Sequence, residues 1–196
     1  MSDRKPGQFE FSIISGLLKG RKIVSPDLGV TRPPLSRVRK SIFDFLMPYI
    51  VDAAYLDLYS GTGAYLFEAV SRGALRGLGV EKEAQLAEAI SMQARKFKVE
   101  DRLACLKEDV FLAIPRLHEA GEKFDIIMMA PPQYQGLISK TLQALRSKPV
   151  SAPDGLILCQ HDTSETNKIS FLDFPIQQQR KYGNTTFTVL RAGSRI

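Results

Sequence analysis

Cysteine and histidine are scarce in this 196-residue chain, with two of each: Cys105 and Cys159, His118 and His161. So few thiols exclude a disulfide framework and fit a reducing compartment. So few thiols and imidazoles leave no ligand set for a structural zinc ion, and no metal is expected. Long apolar runs are missing too. The longest reaches from about Ile126 to Pro132, far short of the roughly 20 residues a membrane-spanning helix needs. The first residues, Met1 to Gly7, lead into no apolar stretch, so no secretory signal is expected and the expected location is cytoplasmic. The sequence shows no internal repeat and no low-complexity segment.

What the chain does have is a globular balance, 44% hydrophobic and 24% charged residues, enough to bury a core without staples. The length suits one domain, or one domain with a small appendage. The charge is unevenly placed. Residues 1–40 hold nine Lys/Arg and three Asp/Glu, a net of +6, and residues 41–196 hold eighteen of each, a net of zero. Blocked positive charge points to an anionic partner such as nucleic acid, or to a solvated basic arm.

The first 34 residues read as a basic hairpin and arm, distinct from a main domain over 35–196. Phe9 to Ser15 alternates weakly as a strand, Gly16 and Gly20 punctuate a turn, and Arg21 to Val24 return as its partner. An amphipathic helix follows from about Leu35 to Tyr49, with Val38, Ile42, Phe45, Leu46 and Tyr49 on one face and Pro48 as its stop. Arg37, Arg39 and Lys40 stand near its start, where cations oppose the helix dipole, which favours a ligand or phosphate role for them. From residue 53 apolar strands alternate with helices: strands near 54–58, 78–80, 103–106, 124–129 and 156–159, with helices near 64–72, 83–96, 110–117 and 137–146 between them. Two closing strands near 177–182 and 185–191 flank a Gly183-Asn184 turn. This order predicts an α/β fold with a doubly wound, mostly parallel sheet, an antiparallel C-terminal edge and a small N-terminal β-hairpin.

Three acids stand at successive strand ends. Asp57 opens Asp57-Leu58-Tyr59-Ser60-Gly61-Thr62-Gly63, a glycine turn between strand and helix where a ligand can approach the backbone. Leu66 stands where a dinucleotide fingerprint has its third glycine, and no Gly-Lys-Ser/Thr follows, so neither that motif nor a P-loop is present. Glu81 lies 18 residues beyond Gly63, near the spacing at which an acid accepts hydrogen bonds from a ribose. Asp109 ends the third strand and also suits a helix N-cap. The fourth strand leads into Ala130-Pro131-Pro132-Gln133-Tyr134, whose prolines stiffen an extended segment with carbonyls toward the crevice. His161 reads as a surface residue and the two cysteines as packing residues.

Together these residues resemble a class I S-adenosyl-L-methionine-dependent methyltransferase. More closely, the chain resembles the RsmD family, which methylates the exocyclic N2 of a guanine in bacterial 16S ribosomal RNA. The likeness rests on Gly20-Arg21-Lys22, Thr31-Arg32-Pro33, Ser36-Arg37-Val38-Arg39, Glu68 to Ala74 and Arg180-Lys181-Tyr182-Gly183-Asn184-Thr185. It implies a Rossmann-like fold. Asp57, Ser60, Gly61 and Gly63 would line the methionine end of S-adenosyl-L-methionine, Glu81 would hold its ribose, and Asp109 with the Val110 backbone would meet its adenine. Ala130, Pro131, Pro132 and Gln133 would form the catalytic loop. Arg21, Lys22, Arg32 and Arg37 would contact RNA, and Tyr134 would contact the base. The implied partner is ribosomal RNA within a small subunit or an assembly intermediate, and the expected protein is a monomer away from membranes. One departure stands out. Amino methyltransferases of this type carry Asp or Asn before Pro-Pro and an aromatic residue after it, and here those positions hold Ala130 and Gln133. Two other readings follow: an RNA-binding assembly protein that kept the fold without the chemistry, and an adenine-N6 DNA methyltransferase.

Overall fold

The computed structural model describes residues 7–29 and 33–193. Strands β1 (Gln8–Ser12) and β2 (Lys22–Pro26) pair antiparallel as a small separate sheet. β1 stops short of Ser15 because the Ile14 and Ser15 amides turn to a carboxylate on a later helix. Helix α1 (Ser36–Ile50) buries Val38, Ile42, Phe43, Leu46 and Ile50 along one side. Pro48 does not stop it. A proline gives up only its own N–H bond, and the packed stripe carries the helix two residues further, to an extended Val51.

The alternation then runs as expected: β3 (Ala54–Leu58), α2 (Ala64–Ser71), β4 (Arg76–Glu81), α3 (Ala84–Phe97), β5 (Leu103–Lys107), α4 (Val110–Glu119), β6 (Phe124–Met129), α5 (Leu137–Ser147) and β7 (Ser151–Asp162). A 3-10 turn, Thr163–Lys168, which the sequence reading missed, leads toward β8 (Ile176–Tyr182) and β9 (Thr185–Arg191). The seven strands lie in the order β5-β4-β3-β6-β7-β9-β8. The first five are parallel to one another, and β9 runs antiparallel to both β7 and β8. β3 has β4 on one side and β6 on the other, so the chain order reverses there. That is the point where open α/β sheets form a crevice at their carboxyl ends.

Strand alternation divides the core between the two sheet faces. Tyr55, Met128 and Leu158 face α1, α2 and α3, while Leu56, Leu58, Ile127, Met129 and Ile157 face α4 and α5. The N-terminal sheet joins the first of these clusters through Ile13, Leu18 and Ile23. Its anchor is polar. The buried Glu68 carboxylate of α2 accepts from Ile14 N at 2.9 Å, Ser15 N at 3.1 Å and Arg72 Nε at 2.8 Å. Ser71 takes the amides of Leu17 on its carbonyl at 2.7 Å and of Leu18 on its hydroxyl at 2.9 Å. Gly16 makes this approach possible: it has φ +85°, and a Cβ there would sit 1.8 Å from the Ser71 carbonyl oxygen. The stretch Glu68 to Gly73 is therefore a docking surface for the hairpin.

Two expectations need correction here, for Arg39 and for His161. Arg39 does not reach outward to a ligand. It is buried, donates to the Ser12 carbonyl, lies 3.6 Å from Glu68 and covers the Phe11 ring. Lys40 pairs with Asp44 one turn along α1, at 2.6 Å. His161 is not a surface residue. β7 runs past Cys159, and His161 is buried within it, with Nε2 3.1 Å from Thr188 Oγ1. Among the described residues, no helix is long and apolar enough to cross a membrane.

Candidate active site

A cavity of about 760 Å³ opens at the carboxyl ends of β3, β4, β5, β6 and β7. Glu81, Asp109, Val110 and Gly61 line one end, and Ala130, Pro131, Pro132 and Gln133 line the other. Glu81, Asp109 and the proline loop, read separately from the sequence, thus border one continuous space.

The first end is built on backbone amides. Glu81 ends β4 and is nearly buried. Its Oε2 accepts from Gly61 N at 2.7 Å and its Oε1 from Glu83 N at 2.9 Å. Each oxygen keeps a lone pair for a ligand hydroxyl. Asp109 lies two residues beyond β5 rather than ending it, and caps α4 by accepting from Phe111 N at 2.8 Å. As the first helical residue, Val110 has no intrahelical partner for its N–H, which leaves a donor at the cavity wall. Val80, Leu86 and Phe111 supply apolar flanks beside it.

Asp57, Ser60 and Gly63 lie behind this wall instead of lining it, which differs from the expectation. Gly63 starts α2 at φ +76°, and a Cβ there would meet Ile90 Cγ1 at 2.9 Å, so this glycine serves helix packing. Ser60 Oγ donates to the Asp57 carbonyl at 2.8 Å. Asp57 is fully buried and neither carboxylate oxygen has a hydrogen-bond partner. Burial first, and the nearby Glu81 carboxylate second, push its pKa well above the usual carboxylate range, with a small opposing pull from the Leu66 amide, which lies outside hydrogen-bond geometry. Tyr59 is a lining residue that the sequence reading passed over. Its φ is +71°, its hydroxyl bonds Thr141 Oγ1 at 2.7 Å, and burial pushes its pKa up to about 12. The bond ties the glycine turn to α5.

At the far end Ala130 and Pro131 are half-buried and buried, while Pro132 and Gln133 are exposed. Tyr134 does not line the cavity. It is 67% exposed at φ +63°, and its amide donates to Glu165 on the 3-10 turn. The lining residues from the last strands are Gln160 and Thr185. Neither carried a sequence signal beyond its place at a strand end, although Thr185 closes the Arg180–Thr185 string.

The residues expected at RNA divide. Arg37 is exposed and makes no hydrogen bond or ion pair among the described residues. Lys22 is exposed and pairs with Glu10 at 2.7 Å, and the Arg21 guanidinium lies over the Phe97 ring at 5.3 Å. Arg32 lies outside the described residues.

A protein-family model described as "Conserved hypothetical protein 95" matches residues 11–191. Over 157 residues the chain is 31% identical to the ribosomal RNA small subunit methyltransferase D of Escherichia coli (strain K12), covering 80% of this chain and 77% of that protein. Over 148 residues it is 28% identical to the protein of the same name from Haemophilus influenzae, covering 76% of this chain and 77% of that one. Among solved structures, that of yhhF from Escherichia coli superposes with a TM-score of 0.84 at 23% identity, covering 95% of this chain and 100% of that one.

Proposed function

The chain belongs to the Conserved hypothetical protein 95 family, that of ribosomal RNA small subunit methyltransferase D, and on that premise we propose that it is an S-adenosyl-L-methionine-dependent methyltransferase acting on the exocyclic N2 of a guanine in 16S ribosomal RNA. One observation carries this reading: a single cavity runs from the Glu81–Val110 end to the Pro131–Pro132 loop, so a cofactor and an extruded base can share it.

The residues present fit that cofactor. Glu81 holds the ribose hydroxyls on its remaining lone pairs. Val110 N–H donates to an adenine ring nitrogen between the apolar flanks. The Gly61 turn lets the methionine end approach the backbone, and Asp57 and Ser60 hold that turn from behind. When bound, the cofactor supplies an electrophilic methyl on a sulfonium centre. The chain's own work is placement. The proline loop would hold the base beside the methyl, and proximity of this kind supplies much of the rate. The amine proton leaves after the new bond forms, so no side-chain base is needed at Ala130.

Arg37, Arg21 and Lys22, with Arg32, supply phosphate contacts in this reading, in line with the basic first forty residues. The substrate is an assembled small subunit or an assembly intermediate, and the protein acts as a cytoplasmic monomer. The test is transfer of labelled methyl from S-adenosyl-L-methionine to unmodified small subunits, with the product nucleoside identified by mass spectrometry. N2-methylguanosine is the expected product. Absence of label, with RNA and cofactor both bound, would favour the non-catalytic assembly protein, the reading that the apolar side chain of Ala130 supports.

A further inference from the structure

We propose that Gln160 positions the target base, its side-chain amide making the contact that residue 130, an alanine, cannot make. The proposal rests on the methyltransferase reading above. Its ground is the register of two strands. β6 and β7 are parallel and pair Met129 with Cys159. The next residues, Ala130 just past the end of β6 and Gln160 still within β7, therefore stand side by side at one height. Met129 and Cys159 both pack on the α4–α5 face, so by alternation Ala130 and Gln160 both point to the other. Ala130 packs against the cluster on that face, and both residues line the cavity.

Gln160 is also held. Tyr65 of α2 donates its hydroxyl to Gln160 Oε1 at 2.6 Å. The Tyr65 ring is buried between Phe43 and Phe187, and burial keeps its hydroxyl protonated and donating. With Oε1 fixed this way, the amide NH2 has no hydrogen-bond partner among the described residues, and the half-buried residue lines the cavity. Gln133 and Gln135, the other two glutamines of the lining, are exposed and make no hydrogen bond among the described residues. Every carboxylate of the lining, Glu81, Glu83, Glu108 and Asp109, stands on the β4–β5 side. Recognition at the base end therefore falls to neutral amides, and Gln160 is the one with a fixed direction.

Its chemistry matches the target edge. Guanine presents the N2 amine, a donor, beside ring N3, an acceptor. A primary amide presents an acceptor beside a donor. Gln160 Nε2–H donates to N3, and the second lone pair of Oε1 accepts one N2–H. Both contacts fix the plane of the base and aim the amine. Transfer forms the N2–carbon bond and breaks the carbon–sulfur bond of the sulfonium, and the amine proton passes to water. Gln160 takes up no proton at any point.

The test uses the full-length protein, labelled S-adenosyl-L-methionine and unmodified small ribosomal subunits. Gln160→Leu should lower kcat about 100- to 1,000-fold, the scale of one lost polar contact to the reacting group. Its calorimetric Kd for S-adenosyl-L-homocysteine should stay at the wild-type value, and its melting temperature should fall by no more than the cost of one unpaired buried hydroxyl, that of Tyr65. Tyr65→Phe should lower kcat less, with cofactor affinity unchanged. Ala130→Asn placed in the Gln160→Leu protein should restore rate, because it returns an amide at the same height from the neighbouring strand. Gln160→Glu should give a kcat that falls as pH rises through the titration of the new carboxyl, because only its protonated form can donate to N3. Wild-type kcat in Gln160→Leu would overturn the proposal. So would a loss of rate matched by lost cofactor affinity and left unrescued by Ala130→Asn. A wild-type protein that transfers no methyl overturns the methyltransferase reading itself, and an active wild type indifferent to residue 160 overturns only this inference.

Discussion

Removing Glu68 should detach the hairpin from the methyltransferase fold. Its carboxylate is buried with two hairpin amides, at 2.9 and 3.1 Å, and Arg72 Nε, at 2.8 Å, bonded to it. Arg39 lies 3.6 Å away, equally buried, and burial lowers its pKa while Glu68 raises it. Glu68→Ala strands two amides and leaves Arg39 a buried cation without its counter-charge. Breaking a buried pair by deleting one partner costs about 3–5 kcal/mol. That is a large share of the roughly 5–15 kcal/mol by which a typical protein is stable. For a chain of this size about 1 kcal/mol shifts the melting temperature by roughly 2–4 °C, so the variant should melt roughly 6–20 °C lower. Calorimetry on the purified protein measures this directly. Amide exchange adds a local readout, with Ile14, Ser15, Leu17 and Leu18 losing protection before the β3–β6 core. A melting shift below about 2 °C with Ile14 still protected would refute the reasoning, because the hairpin would then be held by its apolar contacts alone.

Asp57→Asn should stabilise the protein increasingly as pH rises. The folded pKa of Asp57 lies above its unfolded value, so the wild type loses stability from about pH 4 up to that folded pKa, at up to about 1.4 kcal/mol per pH unit. Urea midpoints of variant and wild type should diverge as pH rises from about 4, and parallel curves would count against a buried carboxylate there. Gly16→Ala should cost more than Gly20→Ala although the two share φ near +80°. Both pay about 1–2 kcal/mol for a left-handed residue, but only Gly16 has a carbonyl oxygen 1.8 Å from the new Cβ, against open space at Gly20. Equal melting shifts would contradict the close approach. Glu81→Gln should weaken S-adenosyl-L-homocysteine binding about 10- to 100-fold in calorimetry, the scale of a lost charge-assisted hydrogen bond. Unchanged affinity would remove Glu81 from the cofactor site.

Much of this molecule was legible in its sequence. The order of strands and helices from Ala54 to Arg191 follows from apolar periodicity and from glycine and proline punctuation, which act within a few residues. The same locality made the Gly61 turn, the Glu81 strand end and the Pro131–Pro132 loop readable as parts of one crevice, because parallel strands carry their carboxyl ends to one edge. Charge near a helix start misled at Arg39, because the dipole argument is local and the partner, Glu68, is supplied by another helix. Tyr134 follows the proline loop in sequence yet turns away from the cavity, its amide held by Glu165, 31 residues on. Only the tertiary structure decided that Asp57 stands behind the cavity wall and that the Glu68–Gly73 stretch is a dock for the hairpin. Only it set Gln160 beside Ala130. Tyr65 and Gln160 are 95 residues apart in sequence and Ile14 and Glu68 are 54 apart. Contacts at such separations depend on strand register and helix packing, which no local pattern of residues encodes.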